Sequence, residues 1–231
     1  MILRSFAVTM AALTLAGCNI QHEPAGPTQY ETRTVDRDDA KAVNVHLTMG
    51  AGQMKVGSGT GKLMQAYFTY NVPSWKPEMR YSAGDLTVEQ PSSHGAHLGP
   101  QKYEWDLRFA QDIPLNFHVN FGAGEAQLDL GSLTLQNVDV DMGVGQLKLD
   151  LRGAPKHDYN VNINGGVGEA TVRLSADVGI YAEASGGIGE VTARGLAKRG
   201  DHWVTDAYEQ PGPKIRITVH GGIGQINLVA E

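Results

Sequence analysis

One short motif, used six times, constrains this chain more than any other feature. Glycine, a small apolar residue, a second glycine, and then glutamate or glutamine occur at Gly50, Gly52 and Gln53; Gly122, Gly124 and Glu125; Gly143, Gly145 and Gln146; Gly166, Gly168 and Glu169; Gly187, Gly189 and Glu190; and Gly222, Gly224 and Gln225. The first glycines are spaced 72, 21, 23, 21 and 35 residues apart. The middle copies set a period near 21, and the longer intervals read as the same period with inserted or degenerate material.

Apolar residues alternate on both sides of each motif, as in Leu115, Phe117, Val119 and Phe121 before Gly122 and Ala126, Leu128 and Leu130 after it. A period of two marks strands buried on one face. No useful helical period follows the N-terminal segment, so the expected fold class is all-β. Two strands and two turns in about 21 residues suit one coil of a single-stranded β-helix, or β-solenoid-like domain, whose coils cover one another's edges. An antiparallel meander of tight hairpins also satisfies the alternation, but accounts less well for near-identical turns at a near-constant period.

In a solenoid the motif is a corner. Both glycines are expected to supply backbone angles that residues with a Cβ reach only under strain. The middle Ala, Val or Ile is expected to point inward as a plug. The fourth residue is Gln in three copies and Glu in three, which share an acceptor oxygen and not a charge, so its expected role is to cap backbone N–H groups at the corner. A metal ligand or general acid would not be Gln in half its copies, and no metal and no cofactor are expected; a cation held between stacked Glu169 and Glu190 is the lesser alternative.

Other motifs fail on detail. Gly166 and Gly168 lack the third glycine and following helix of a dinucleotide site, and Gly57 to Lys62 resembles a phosphate loop but has Leu63 where Ser or Thr would hold magnesium. His94 and His97 sit in a polar loop without Cys or an acid cluster. No nucleophile elbow or paired-carboxylate motif is present, and the chain is read as not an enzyme, with no catalytic residues.

The first residues speak to location. Arg4 precedes an apolar run from Phe6 to Ala16 that is too short to cross a bilayer and ends in Leu15, Ala16, Gly17 and Cys18. This resembles the lipobox of bacterial lipoproteins, which implies cleavage before Cys18 and lipidation of its thiol. Cys18 is the single cysteine of the chain, so no disulfide can form. Asn19 leans toward the outer membrane by resemblance to a sorting rule. Loss of residues 1–17 would leave 18 Lys and Arg against 25 Asp and Glu, a charge of −7. Such a balance has no footprint for nucleic acid. The expected partners are therefore the membrane, through a lipid anchor, and an envelope protein or glycan. The organisation reads as 1–17 signal peptide, 18–40 lipidated Cys and flexible tether, 41–120 an N-terminal β segment, and 121–231 the solenoid repeats.

Eight of the 16 aromatic residues fall between positions 67 and 109. They read either as a cap on the open end of the solenoid or as an exposed surface for a partner, with Trp75, Tyr81 and Trp203 as candidate contacts. Trp75, between Pro73 and Pro77, is the one expected to be most exposed. Trp203 lies in a loop over residues 196–213.

The runs from Val43 to Val56, Phe68 to Pro77, Leu86 to Pro91, Trp105 to Leu107 and Ile113 to Glu125 resemble the toast-rack N-terminal family of bacterial envelope proteins. The later repeats resemble the toast-rack domain proper, the β-helical module also seen in LiaF-type regulators and in adhesin-like families. The resemblance covers roughly residues 40–231 and implies a fold and no catalytic residues. The first expectation for function is thus a non-enzymatic, lipid-anchored interaction or sensing module, in the envelope-stress response. The alternative is a glycan-binding or adhesin-like surface module.

Overall fold

The computed structural model describes residues 23–92, 97–98 and 100–231. Cys18, Asn19 and His94 lie outside the described residues. The strands in chain order are β1 (Glu23–Pro24), β2 (Gln29–Val35), β3 (Val43–Ser58), β4 (Met64–Tyr70), β5 (Glu78–Ser82), β6 (Asp85–Glu89), β7 (His97–Leu98), β8 (Tyr103–Phe109), β9 (Leu115–Asp129), β10 (Leu135–Asp150), β11 (Tyr159–Leu174), β12 (Gly179–Arg194), β13 (Ala197–Arg199), β14 (His202–Val204) and β15 (Lys214–Ala230). All other regular structure among the described residues is two single 3₁₀ turns, Pro73–Trp75 and Asp206–Glu209.

Six strands of 15 to 17 residues, β3, β9, β10, β11, β12 and β15, each carry one corner motif at their middle. Each is one bent strand with a limb on either side of the corner. They pair in parallel with glycine opposite glycine: Gly52 with Gly124, Gly124 with Gly145, and Gly145 with Gly168. Residues 130–134 and 151–158 return the chain from the end of one bent strand to the start of the next. The result is a solenoid-like stack whose core lies between the two limbs: Val45, Phe117, Val138, Val161 and Ile217 face Val56, Leu128, Leu149, Val172 and Leu228 from the other side, all buried.

The stack departs from chain order at one end. Along it the layers run β3, β9, β10, β11, β15, β12, so the C-terminal strand is inserted between β11 and β12. The other end is closed by β8 on the second limb of β3 and β6 on the first, and antiparallel β4 and β2 continue beyond β8. Aromatic side chains from residues 67–109 fill that end: Trp105 is edge-on to Phe68, and Phe109 is edge-on to Phe117. The cap reading of this segment therefore describes its large buried rings.

Two sequence boundaries shift. Residues 29–35, read as tether, form β2, because Gln29 to Val35 pair residue by residue with Tyr70 to Met64. The boundary at 120/121 falls inside β9, whose first limb already belongs to the stack.

Candidate interaction surface

The corner geometry explains why only glycine serves at two positions. The second glycine of every copy has φ between 124° and 147°, as at Gly124 and Gly52, a region strained for any L residue with a Cβ. The first glycine lies outside the positive-φ region and, in the five copies other than Gly50, is demanded by stacking instead. A Cβ on Gly143 would lie 2.4 Å from the Gly122 carbonyl oxygen, and one on Gly187 would lie 2.7 Å from that of Gly222. Hence φ supplies half of the expected reason, and close approach of the next layer supplies the other half.

The middle residue does not plug the corner. Val144, Val167, Ile223 and Ile188 are 53%, 43%, 51% and 70% exposed. The interval between inward residues across a corner is five, as from Met142 to Leu147, so the alternation slips by one and the middle residue lands on the convex side. In spatial order the outward ladder is Ala51, Ala123, Val144, Val167, Ile223, Ile188. The plug is the residue before the motif: Met49, Phe121 and Met142 are buried there. Gly165, Gly221 and Gly186 take that place in the other three layers and border an apolar cavity of about 60 Å³ lined also by Met142, Ile163, Val219 and Ile226.

Among the described residues the fourth position makes side-chain bonds and no backbone cap. Glu125 accepts a bond from Lys148 Nζ at 2.7 Å, and Glu169 accepts one from Asn227 Nδ2 at 3.0 Å. Both partners stand on neighbouring layers. Glu169 and Glu190 are not adjacent, because Gln225 pairs with each of them and stands between. Among the described residues no cluster of His, Cys, Asp and Glu could hold a metal ion.

The aromatic candidates are also placed differently. Trp75 is 7% exposed and edge-on to Tyr103 at 5.5 Å, because its 3₁₀ turn folds the ring back onto the cap. Tyr81 is half-buried and its hydroxyl donates to Asp38 Oδ1 at 2.6 Å; burial, and then this contact, push it up to about 12. Trp203 is half-buried against the core on β14, with Lys198 Nζ 5.3 Å from its ring. These three rings stand on β5, β14 and the turn before β5, and form no shared platform.

A different surface is continuous. Between the buried residues of the six first limbs, outward residues fall into three columns running along the stack. The first holds Asn44, Asn116, Asn137, Asn160, Arg216 and Tyr181; the second His46, His118, Asp139, Asn162, Thr218 and Glu183; the third Thr48, Asn120, Asp141, Asn164, His220 and Ser185. The side chains are tied between layers. Asn162 Nδ2 donates to Asp139 Oδ1 at 2.7 Å, Asn164 Nδ2 to Asp141 Oδ1 at 2.8 Å and Asn116 Nδ2 to Asn44 Oδ1 at 3.2 Å. His46 and His118 stack with centroids 4.9 Å apart, and His118 Nδ1 lies 3.2 Å from Asp139. Such bonds fix rotamers in advance and leave the remaining donors and acceptors pointing outward at the interlayer repeat of about 4.8 Å.

These columns were missed because the motif itself drew the reading. When the six copies are aligned on the first corner glycine, they stand at six, four and two residues before it, and every one of these 18 positions is polar or tyrosine.

A model of the family described as "N-terminal domain of toast_rack, DUF2154" matches residues 24–173. The chain belongs to this family. The match runs from β1 through the second limb of β11, and so across the expected boundary at 120/121. A crystal structure of a candidate cell adhesion protein from Clostridium sporogenes ATCC 15579 is similar to the toast-rack chain at 31% identity and a TM-score of 0.83, covering 89% of this chain and 100% of that one. A looser likeness is to a candidate adhesin from Bacteroides fragilis NCTC 9343, at 12% identity and a TM-score of 0.42, covering 90% of this chain and 99% of that one. No curated protein sequence matches the chain. Among the described residues no helix is long and apolar enough to cross a membrane.

Proposed function

We propose that this toast-rack chain is a non-catalytic, adhesin-like surface module of the bacterial envelope, which binds a polar polymer, a glycan, along the three outward columns of the first limbs. The single observation that carries the proposal is the in-register array of amides, imidazoles, carboxylates and hydroxyls around Asp139, Asp141, Asn162 and Asn164. A repeating ligand can meet the same donors and acceptors at each step without ordering them anew, which lowers the entropic cost of binding. Likeness to the Clostridium sporogenes candidate adhesion protein, at 31% identity over its whole length, supports the same reading.

In this reading the chain is exported, loses residues 1–17 and is held at the membrane by lipid on Cys18, with Asn19 leaning toward the outer membrane. Each bent strand with its return forms one coil of about 21 residues, as from β9 to β10. No observation favours a role in the envelope-stress response. Glycan recognition here uses polar columns, and the half-buried or buried Trp75, Tyr81 and Trp203 are not its platform.

The test is pelleting of the full chain with purified cell wall, together with a glycan array. Asp141→Ala combined with Asn164→Ala, both exposed, should weaken glycan binding about tenfold or more while leaving the melting temperature near that of the wild type. Unchanged binding in that variant, or no glycan bound by the wild type, would overturn the proposal.

A further inference from the structure

The two ends of the stack are finished differently. At the β3 end both limbs are paired by further strands, and even the corner is closed, because Gln90 Oε1 accepts from the Gly50 and Ala51 N–H groups at 2.8 and 3.2 Å. At the β12 end, β14 pairs only Tyr181 and Ala182. From Glu183 to Arg194, β12 pairs β15 on one side and no described strand on the other. Leu196 and Trp203 cover only part of the core there: Ala184, Val191 and Ala193 face inward, pack on the core and remain partly exposed. An open edge of twelve residues, free of Lys and Pro, is a template for another strand, and a solenoid end without a polar cap is a face that wants covering.

We infer that this end is an interface between two copies of the chain, with the β12 edges paired antiparallel about a twofold axis through the corner. A head-to-tail stack is blocked because the β3 end is closed, so the contact must be isologous and ends at a dimer. A twofold axis along the bisector of the bend lays the first limb of one copy on the second limb of the other. Inward positions are even-numbered before the corner and odd-numbered after it, so the sum of paired residue numbers must be odd. The register that uses the whole open edge puts Ala184 opposite Ala193 of the partner subunit, with small side chains meeting where two cores join. It also puts Glu183 opposite Arg194 of the partner subunit, twice by symmetry, and Ser185 opposite Thr192 of the partner subunit. Charge complementarity thus coincides with matching of the inward faces. Glu183 keeps its bond from the Tyr181 hydroxyl at 2.6 Å, which holds the carboxylate on the outward face.

The experiment uses the full chain purified in detergent. Light scattering should report a dimer, and Arg194→Glu should raise its dissociation constant about tenfold by placing like charges opposite each other. Adding Glu183→Arg to that variant should restore the wild-type value. As an independent readout, oxidation of a mixture of Ser185→Cys and Thr192→Cys proteins should give a disulfide-linked dimer that neither variant, nor the wild type with Cys18, gives alone. A monomeric wild type, failure of the charge swap to restore dimerisation, or cross-linking no greater in the mixture than in the separate variants would each overturn the inference.

Discussion

The β3 end and the β12 end of one stack are built from the same bent strand, yet the first is finished with aromatic bulk and the second with alanine. Trp105, Phe68, Phe109 and Phe117 crowd the β3 end, and every limb there has a partner. Ala182, Ala184 and Ala193 line the β12 end, beside the corner cavity left by Gly165, Gly186 and Gly221. The repeat thus supplies a path for the backbone, while the ends are decided by the bulk of the inward residues and by strands recruited from outside the repeat.

The closed end carries the largest expected effect. Trp105→Ala, at a 1% exposed site, is expected to cost about 3–5 kcal/mol in urea unfolding, because it removes the largest ring of the cap. A loss below about 1 kcal/mol would mean that the cap does not stabilise the stack. In the middle, where both ends are irrelevant, Gly145→Ala should cost about 3 kcal/mol or more: φ is 138°, and the added Cβ would lie 2.0 Å from the Gly124 carbonyl oxygen. Gln90→Ala should cost about 1 kcal/mol by uncapping Gly50 and Ala51. Ile188→Ala, at a 70% exposed site of the open end, should move the melting midpoint of dilute protein by no more than about 0.5 kcal/mol equivalent.

The smallest effect is one of pH. Burial pushes the Asp150 carboxyl up, but the Arg152 guanidinium, with Nη2 at 2.5 Å, together with the Arg152 backbone N–H and the charge of Arg173, outweighs it and holds the group below its ordinary value. A carboxyl whose pKa is lower in the folded chain stabilises above its unfolded pKa, and this stability is lost as pH falls through the folded one. Arg152→Ala should therefore lower stability slightly at neutral pH, and the difference should vanish in acid. A difference that persists at low pH would assign the effect to Arg152 packing instead.

Much of the fold was legible. Alternation on both sides of the motif gave the bent strands, because a half-buried strand writes its period of two directly into the chain. The candidate site was legible only after the direction of the fold was known. Asp139 or Asn162 looks like any exposed residue until layers 23 residues apart are placed in register. Trp75 shows the opposite failure. Prolines on both sides suggested an exposed loop, and the 3₁₀ turn they permit instead lays the ring on Tyr103.

By itself, the sequence determined the all-β class and the six corners, since these follow from local geometry and a recurring motif. Only the tertiary structure decided that β15 enters between β11 and β12, that the middle corner residue faces outward, and that no described strand pairs the far edge of β12 beyond Ala182. The physical reason is that the six corners are nearly alike. Any layer can stack on any other at close to the same local energy, so the order is set by connections and ends: the 35 residues between the last two motifs let the chain form β13 and β14 on the far side of β12 before the last strand returns beneath it.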